Sequence, residues 1–459
     1  MKDIDTALKE GTRIHFMGIG GAGMCPLAEI LLKRGYTVTG SDNNESDNLA
    51  RMRSLGVSVM MGQTAQNIAD AQPDLMVYTA ALLPDNPELA AAQASGLPLF
   101  ERAALLGALT RGYENCICVS GTHGKTTVTA MIAHILLESG LDPSAVIGGK
   151  LPLTQTNGIA GGSETMVVEA CEFKDTYLSL SPDVAVILNV DEDHLDYFKN
   201  LDNIVASFHK FAALASREII VNGDDENSLR ALEGIIGKDF TTFGLSSGNV
   251  YTAVNVRMKQ GFASFDLLKG GRIYEDITLG VPGEHNVSNA LAAIAAAQTA
   301  GATLEQCIAA LTQFRGAGRR FEILAKIGGI TIADDYAHHP AELEVTLKAA
   351  MDMGYRRVWA VFQPFTYSRT ANHFDDFVRV LQIPDRTVLT EIMGSRETNT
   401  YNIYSAQLAE KIPGSVWYNS FEEAADYVTA NAQDGDLVIT LGCGDIYKAA
   451  KMMVGRMKA

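Results

Sequence analysis

Two glycine-rich loops carry the residues whose types and spacing could do chemistry. The first of interest is Ser120-Gly121-Thr122-His123-Gly124-Lys125-Thr126-Thr127, which contains the G-x-x-G-K-[ST] core of a phosphate cradle. In such a loop backbone N–H groups wrap phosphate oxygens, the lysine meets the β- and γ-phosphates, and the next hydroxyl reaches a Mg2+. The full pattern would put a glycine at 119, where Val119 stands, so the loop is a variant whose first glycine is shifted to 121. A mere turn would give no reason for Lys125 at the mouth of a helix. The other loop, which comes first along the chain, is Gly18-Ile19-Gly20-Gly21-Ala22-Gly23; it matches G-x-G-x-x-G and has Asp42 downstream. Small residues there let the backbone approach a diphosphate at a helix N-terminus. Alone, this loop reads as a tight strand-to-helix turn or as the nucleotide site of an NAD-dependent dehydrogenase. A dehydrogenase has no use for the Lys125 loop. Two phosphate loops suggest a nucleotide-linked substrate and ATP, and hence an ATP-dependent transferase or ligase.

A Mg2+ held on phosphates needs one or two carboxylates besides waters. Glu169 closes the apolar run 166–170, with Glu172 just beyond, and Asp191, Glu192, Asp193, His194 and Asp196 follow the apolar run 184–190. Ligand sites of open α/β sheets lie at the carboxyl ends of strands. Glu169, emerging from an apolar strand, is read as a metal ligand. Glu192 and Asp193 read better as helix caps or solvated loop charges. His194 gains weight only from its nearness to the phosphate loop.

The elements that must position these residues alternate short apolar strands with amphipathic helices, the mark of an α/β fold with parallel sheets. Strands are expected at 13–17, 37–40 and 75–78, with a helix at about 26–34. A second block opens with a strand at 116–119 and a helix on which Met131, Ile132, Ile135 and Leu136 recur at helical spacing. Residues 250–277 read as an antiparallel excursion, and 289–299 as an alanine-rich helix. Strands at 357–362, 387–390 and 437–441 belong to a third block. The predicted domains are therefore 1–112, Rossmann-like; 113–322, a P-loop-type ATPase sheet; and 323–459, again Rossmann-like.

A length of 459 residues, 47% hydrophobic and 20% charged, fits about three globular domains and excludes a disordered or fibrous chain. The net charge of −17 argues against nucleic acid or an anionic membrane as main partner. Six scattered cysteines without a C-x-x-C pair argue against zinc ribbons and thioredoxin-type redox sites, and suit a reducing compartment. The polar start lacks the apolar core of a signal peptide, and no apolar run reaches about 18 residues, so a cytoplasmic protein is expected.

Seven motifs in order give a resemblance. They are the two loops, Glu169-Ala170-Cys171-Glu172, Asp193-His194-Leu195-Asp196, Glu284-His285-Asn286-Val287-Ser288-Asn289, Gly318-Arg319-Arg320-Phe321-Glu322 and Asp334-Asp335-Tyr336-Ala337-His338-His339-Pro340. Together they resemble the Mur ligases of peptidoglycan synthesis over about 13–447, and the run of glycines in the first loop favours the alanine-adding branch. The resemblance implies ATP-driven amide formation between the carboxylate of UDP-N-acetylmuramate and L-alanine through an acyl phosphate, by a monomer or weak homodimer. It implies that Lys125, Glu169, His194 and Arg320 are catalytic, with Thr126, Glu169 and His194 holding Mg2+. ATP would be bound by Gly121, Thr122, His123, Gly124, Lys125, Thr126, Thr127, Asn286, Asn289, Arg320 and Asp335. The UDP-sugar would lie on Gly18, Gly20, Gly21, Ala22, Gly23, Met24, Ser41 and Asp42. The amino acid would meet Tyr336, His338 and Arg369. Arg319 is read as a solvated hinge charge. The recycling branch, which adds a whole tripeptide, shares the ATPase motifs, and a nucleotide-binding regulator without an acceptor site is a further alternative.

Three departures from the family pattern stand out. In Gln363-Pro364-Phe365-Thr366-Tyr367-Ser368-Arg369-Thr370, Phe365 and Thr366 replace a histidine and a basic residue, leaving Arg369 for the alanine carboxylate. Cys171 replaces an aspartate, which removes a charge near the expected metals. Phe208 or His209 falls near the position of the carbamylated lysine of several relatives, with Lys210 one residue off, so no carbamylation is expected.

Overall fold

The computed structural model describes residues 3–458 other than 396. Continuous runs of Val, Ile and Ala form strands buried on both faces, as parallel sheets require. The first sheet comprises β1 (Arg13–Met17), β2 (Thr37–Asp42), β3 (Ser58–Met61), β4 (Leu75–Tyr78) and β5 (Leu99–Glu101), all parallel in the order β3-β2-β1-β4-β5. The order reverses beside β1, which puts the first glycine loop at a switch point of the sheet, where such folds bind ligands.

The second sheet is built on β6 (Asn115–Ser120), β7 (Ser144–Leu151), β8 (Thr156–Ile159), β9 (Thr165–Glu169), β10 (Val184–Ile187), β11 (Glu218–Asn222) and β12 (Asp239–Gly244). Its order is β12-β11-β10-β6-β9-β7-β8, parallel except for β8. The central strand β6 delivers the Lys125 loop, and its neighbours β9 and β10 end beside that loop. Strands β13 (Tyr251–Lys259), β14 (Phe262–Lys269) and β15 (Arg272–Pro282) follow. They are joined by the two-residue turns Gln260-Gly261 and Gly270-Gly271, all at positive φ. Such turns make hairpins, so the excursion expected at 250–277 is antiparallel.

The third sheet comprises β16 (Glu322–Ile327), β17 (Ile330–Asp335), β18 (Arg357–Phe362), β19 (Arg386–Thr390), β20 (Val416–Tyr418) and β21 (Asp436–Leu441), in the order β16-β17-β21-β18-β19-β20. Only β16 is antiparallel.

The chain forms two compact units, one of residues 1–252, 268–271 and 289–311, the other of 253–267, 272–288 and 312–459. The first unit contains the first sheet and strands β6 to β12 of the second, and backbones meet closely between them. A Cβ on Gly158 would stand 2.4 Å from Pro26 Cβ, and one on Gly107 would stand 2.2 Å from the Ser179 carbonyl oxygen. Among the described residues no helix is long and apolar enough to cross a membrane.

One expected strand is shorter than its apolar run. The run 184–190 stops being strand at Ile187, because Leu188–Val190 turns to brace the phosphate loop.

Candidate active site

In the first unit the Lys125 loop leaves β6 and enters the helix Lys125–Glu138. Gly121 and Gly124 sit at φ +151° and +86°, and a Cβ on either would come within 2.9 Å of Leu188 Cβ or 2.8 Å of Asn289 Oδ1. These are the positions where glycine is required. The loop is braced by the chain after β10. Thr122 N donates to the Asn189 carbonyl (3.0 Å), His123 N donates to Asn189 Oδ1 (2.8 Å), and Asn189 Nδ2 donates to the His123 carbonyl (3.1 Å). Asp191 N donates to Thr122 Oγ1 at 2.9 Å. The amides of Thr122 and His123, expected to wrap phosphate, are thus spent on Asn189. The donors left to face a ligand are those of the helix's first turn, which lack intrahelical partners by geometry.

Lys125 Nζ donates to the carbonyls of Gly121 (2.6 Å) and Thr122 (3.0 Å) and to Glu172 Oε1 (3.0 Å), with Glu172 Oε2 at 2.9 Å. Burial acts most strongly, to lower the ammonium's pKa, but the charge and hydrogen bond of Glu172 together with Cys171 and Glu169 outweigh it and the pKa is raised, so Lys125 stays a cation. Thr126 Oγ1 donates to Glu169 Oε1 at 2.9 Å, and Gly148 N donates to Glu169 Oε2 at 2.6 Å. Hydroxyl and carboxylate therefore converge at the end of β9. His194, at φ +52°, packs its ring 4.7 Å from that of Phe173. Its Nε2 lies 3.7 Å from Asp193 Oδ2 and 3.9 Å from Glu172 Oε1. Asp193 Oδ1 accepts from the backbone N–H of His194, the residue that precedes the short helix Leu195–Phe198, and caps no helix. Glu192 is exposed, and the Asp196 side chain lies outside the described residues. Among the described residues no three His, Cys, Asp or Glu side chains form a metal-binding group.

The first glycine loop is held differently. Gly18 N and Ile19 N donate to the Ser41 carbonyl, Gly20 N donates to Asp42 Oδ2 at 3.0 Å, and Asn48 Nδ2 donates to the Gly20 carbonyl at 2.9 Å. Asp42 is thereby part of the loop's own bracing. Ser41 is buried and its hydroxyl donates to Glu88 Oε2 at 2.5 Å. Glu88 Oε1 lies 2.8 Å from Nε2 of the equally buried His15. Arg102 lies against this loop, its Cδ 3.2 Å from where a Cβ on Gly23 would stand.

The second unit carries the remaining candidates. Asp335, at the end of β17, accepts from Phe321 N (2.7 Å) and Ala337 N (2.8 Å). Burial raises its pKa to about 6 against the opposing pull of Arg320 and those amides. Arg320 lies 5.2 Å from the Tyr336 ring centroid. His338 Nδ1 is 3.1 Å from both the Tyr336 carbonyl and Glu342 Oε2, and its ring meets those of Tyr336 and Phe365 edge-on at 5.7 and 6.4 Å. Arg369 is on the short helix Tyr367–Asn372, capped by Thr366 Oγ1, which accepts from Arg369 N. Asn286 Nδ2 donates to the Pro282 carbonyl at 2.6 Å. In the first unit Asn289, one turn further on the same helix, lies against Gly124.

The reading of Arg319 as a solvated charge is overturned. Its Nε donates to Asp334 Oδ2 at 2.8 Å and its NH2 to the Gly442 carbonyl at 2.6 Å, while the guanidinium lies 4.9 Å from the rings of both Tyr336 and Tyr447. Asp334 is buried, and a buried carboxylate demands a cation. Arg319 thus anchors the strand end that carries Asp335 and Tyr336. Asn189 and Arg102 also lay outside the expected site, and Glu172, noted beyond Glu169, carries no expected role. Asn189 and Glu172 follow strand ends beside the loop, which is the one sequence signal that could have found them; Arg102 had none. Phe208 is buried, His209 Nδ1 is 3.0 Å from the Ala231 carbonyl and Lys210 is exposed.

Three family models match this chain: the Mur ligase family catalytic domain over residues 13–114, the Mur ligase middle domain over 119–297, and the Mur ligase glutamate ligase domain over 319–444. The chain is 43% identical over 449 residues to a UDP-N-acetylmuramate–L-alanine ligase of Acetivibrio thermocellus, covering 96% of this chain and 95% of the relative. It is 42% identical to that of Clostridium acetobutylicum, with 97% and 98% covered. Among solved structures, the UDP-N-acetylmuramate-alanine ligase of Thermotoga maritima superposes with a TM-score of 0.83 at 28% identity, over 97% of this chain and 99% of that one. A murein peptide ligase of Psychrobacter arcticus gives 0.74 at 25% identity, over 97% and 99%.

Proposed function

The chain belongs to the Mur ligase family, with its three-domain α/β fold, and we propose that it joins L-alanine to the carboxylate of UDP-N-acetylmuramate at the expense of ATP. The observation that carries this reading is the convergence of Lys125, Thr126 and Glu169 at one phosphate loop, in a chain alike over its whole length to alanine-adding ligases. ADP is bound by a structural neighbour of the same fold, a Mur ligase of Thermotoga maritima.

The proposed domains are 1–112 for the UDP-sugar, 113–322 for ATP and 323–459 for the amino acid and part of ATP. The sugar carboxylate attacks the γ-phosphorus, ADP leaves, and the acyl phosphate formed is attacked by the alanine amine, with loss of phosphate. Little covalent work falls to the protein in such a transfer, so positioning and charge neutralisation dominate. Lys125 meets the transferring phosphate, and the first turn of its helix adds N–H donors and a positive dipole end. Thr126 and Glu169 fit a Mg2+, whose remaining ligands are phosphates and waters by preference; His194 is the third proposed ligand. That ion supplies neutralisation of the phosphate charge. Arg320 serves the phosphates, and Asp335 the ribose. Asn289, beside Gly124, and Asn286 offer amide groups to the base. The first loop from Gly18 to Met24, with Asp42, takes the UDP-sugar. Arg369 pairs with the alanine carboxylate, as guanidinium and carboxylate do in two parallel hydrogen bonds, beside Tyr336 and His338. A cytoplasmic monomer or weak homodimer completes the proposal.

The test is an assay of purified protein with UDP-N-acetylmuramate, ATP and Mg2+, following phosphate release and product mass with L-alanine, L-serine, glycine or the stem tripeptide as acceptor. L-Alanine is expected to support release. Release with the tripeptide and none with L-alanine would replace this reading by the recycling one.

A further inference from the structure

Glu172 is a buried carboxylate at the Lys125 loop that the proposed chemistry leaves without a task. Its side chain is 3% exposed, both oxygens are within 3.0 Å of Lys125 Nζ, and Oε1 is 3.9 Å from His194 Nε2. An ammonium has three N–H bonds, and here all three are directed at protein acceptors: the carbonyls of Gly121 and Thr122, and Glu172. A phosphate oxygen that takes Lys125 must replace at least one of them. The loop carbonyls are neutral; Glu172 is the charged and stronger partner.

The segment that carries Glu172 is held in place against its own backbone preference. Lys174 and Asp175 both adopt left-handed conformations, φ +54° and +57°, although neither is glycine. Non-glycine residues persist in that region only where the surroundings over-determine them. Asp175 supplies that restraint, accepting from Tyr197 Oη at 2.7 Å and from the Ser207 hydroxyl. Phe173, between them, packs on His194. Glu172 is therefore presented to the lysine by a braced strut rather than by a free loop.

We propose that Glu172 is a positioning residue of the phosphate cradle: it holds Lys125 inside the loop, and it is the internal competitor that a nucleoside triphosphate displaces, so that it sets nucleotide affinity. The inference rests on the reading of the Lys125 loop as an ATP site.

MgATP titrated calorimetrically into the full-length protein, without UDP-sugar, tests it. Glu172→Gln keeps the shape and removes the charge; its MgATP affinity is expected to rise about tenfold or more, since it is a charged hydrogen-bond partner that is lost. In turnover the KM for ATP falls with it, while kcat changes less. Asp191→Asn is the control for charge alone: Asp191 Oδ2 is 4.0 Å from His123 Nε2 and 64% exposed, so its loss shifts affinity only about twofold. Glu172→Asp, which keeps the charge but withdraws it from Nζ, gives an intermediate gain and carries the test where the glutamine variant does not fold. Unchanged or weaker MgATP binding in the folded Glu172 variants overturns the inference, as does an equal gain in Asp191→Asn. A wild-type chain that binds no MgATP removes the nucleotide reading of the loop, and this inference with it.

Discussion

The loop after β1 and the loop after β6 share a backbone plan and differ in charge. Each leaves a central parallel strand, turns on glycine at positive φ (Gly18 in the first, Gly121 and Gly124 in the second) and enters a helix. The first is stitched by its own neighbours, Ser41, Asp42 and Asn48, and its helix begins with Cys25 and Pro26. The second is stitched from the end of the neighbouring strand β10 by Asn189, and its helix begins with Lys125, set against Glu172, Thr126 and Glu169. A cradle of amides suits any phosphate. What separates a loop that holds a diphosphate passively from one that moves a phosphoryl group is the cation and the carboxylates placed at its mouth.

The largest expected effect comes from breaking the second loop alone. Lys125→Ala should lower turnover by about a thousandfold, the order seen when one preorganised transition-state donor is lost. UDP-sugar affinity, measured by calorimetry, should stay at the wild-type value. Equal loss at both sites would end the division of labour between the loops.

The converse change is Gly18→Ala. It forces a side chain into φ +85° and puts Cβ 2.8 Å from Thr79 Cγ2, at a cost of about 1–3 kcal/mol. Thermal unfolding should show that loss, and the KM for the UDP-sugar should rise while MgATP affinity is kept.

The last test sharpens the contrast between the bracing aspartates. Asp335 has its pKa raised from 3.8 to about 6 by burial. The folded state therefore holds this proton more tightly than the unfolded state does. The stability from that proton is fully present below pH 3.8 and is lost as the pH rises through 6, a difference of about 3 kcal/mol. Wild-type stability minus that of Asp335→Asn, from denaturant unfolding, should thus fall between pH 4 and 6 and level off above. A flat difference would show that Asp335 is not the buried, amide-held acid described above.

Much of the fold was legible because local rules were sufficient for it. The strands β1, β4 and β18 lie where their apolar runs are, and the helices after both glycine loops begin within a residue or so of expectation. The expected strand 184–190 failed for a tertiary reason: Leu188 and Asn189 are apolar and neutral enough to continue a strand, but they are recruited to brace the loop at the end of the neighbouring strand β6. Arg319 failed likewise. In sequence it is one of two adjacent arginines at a domain border, and nothing local says which will meet the buried Asp334.

The sequence by itself determined the chemistry at hand. Lys125 and Thr126 must open a helix after two glycines, and Glu169 must close an apolar strand, because local periodicity and backbone preference leave no other placement. Tertiary structure alone decided who is spoken for. It turned the amides of Thr122 and His123 to Asn189, the Ser41 hydroxyl to Glu88, Arg319 to Asp334, and Lys125 to Glu172. Such pairings join residues up to tens of positions apart, and a buried polar group takes whichever partner the packed sheets bring within 3 Å. No pattern along the chain records that distance.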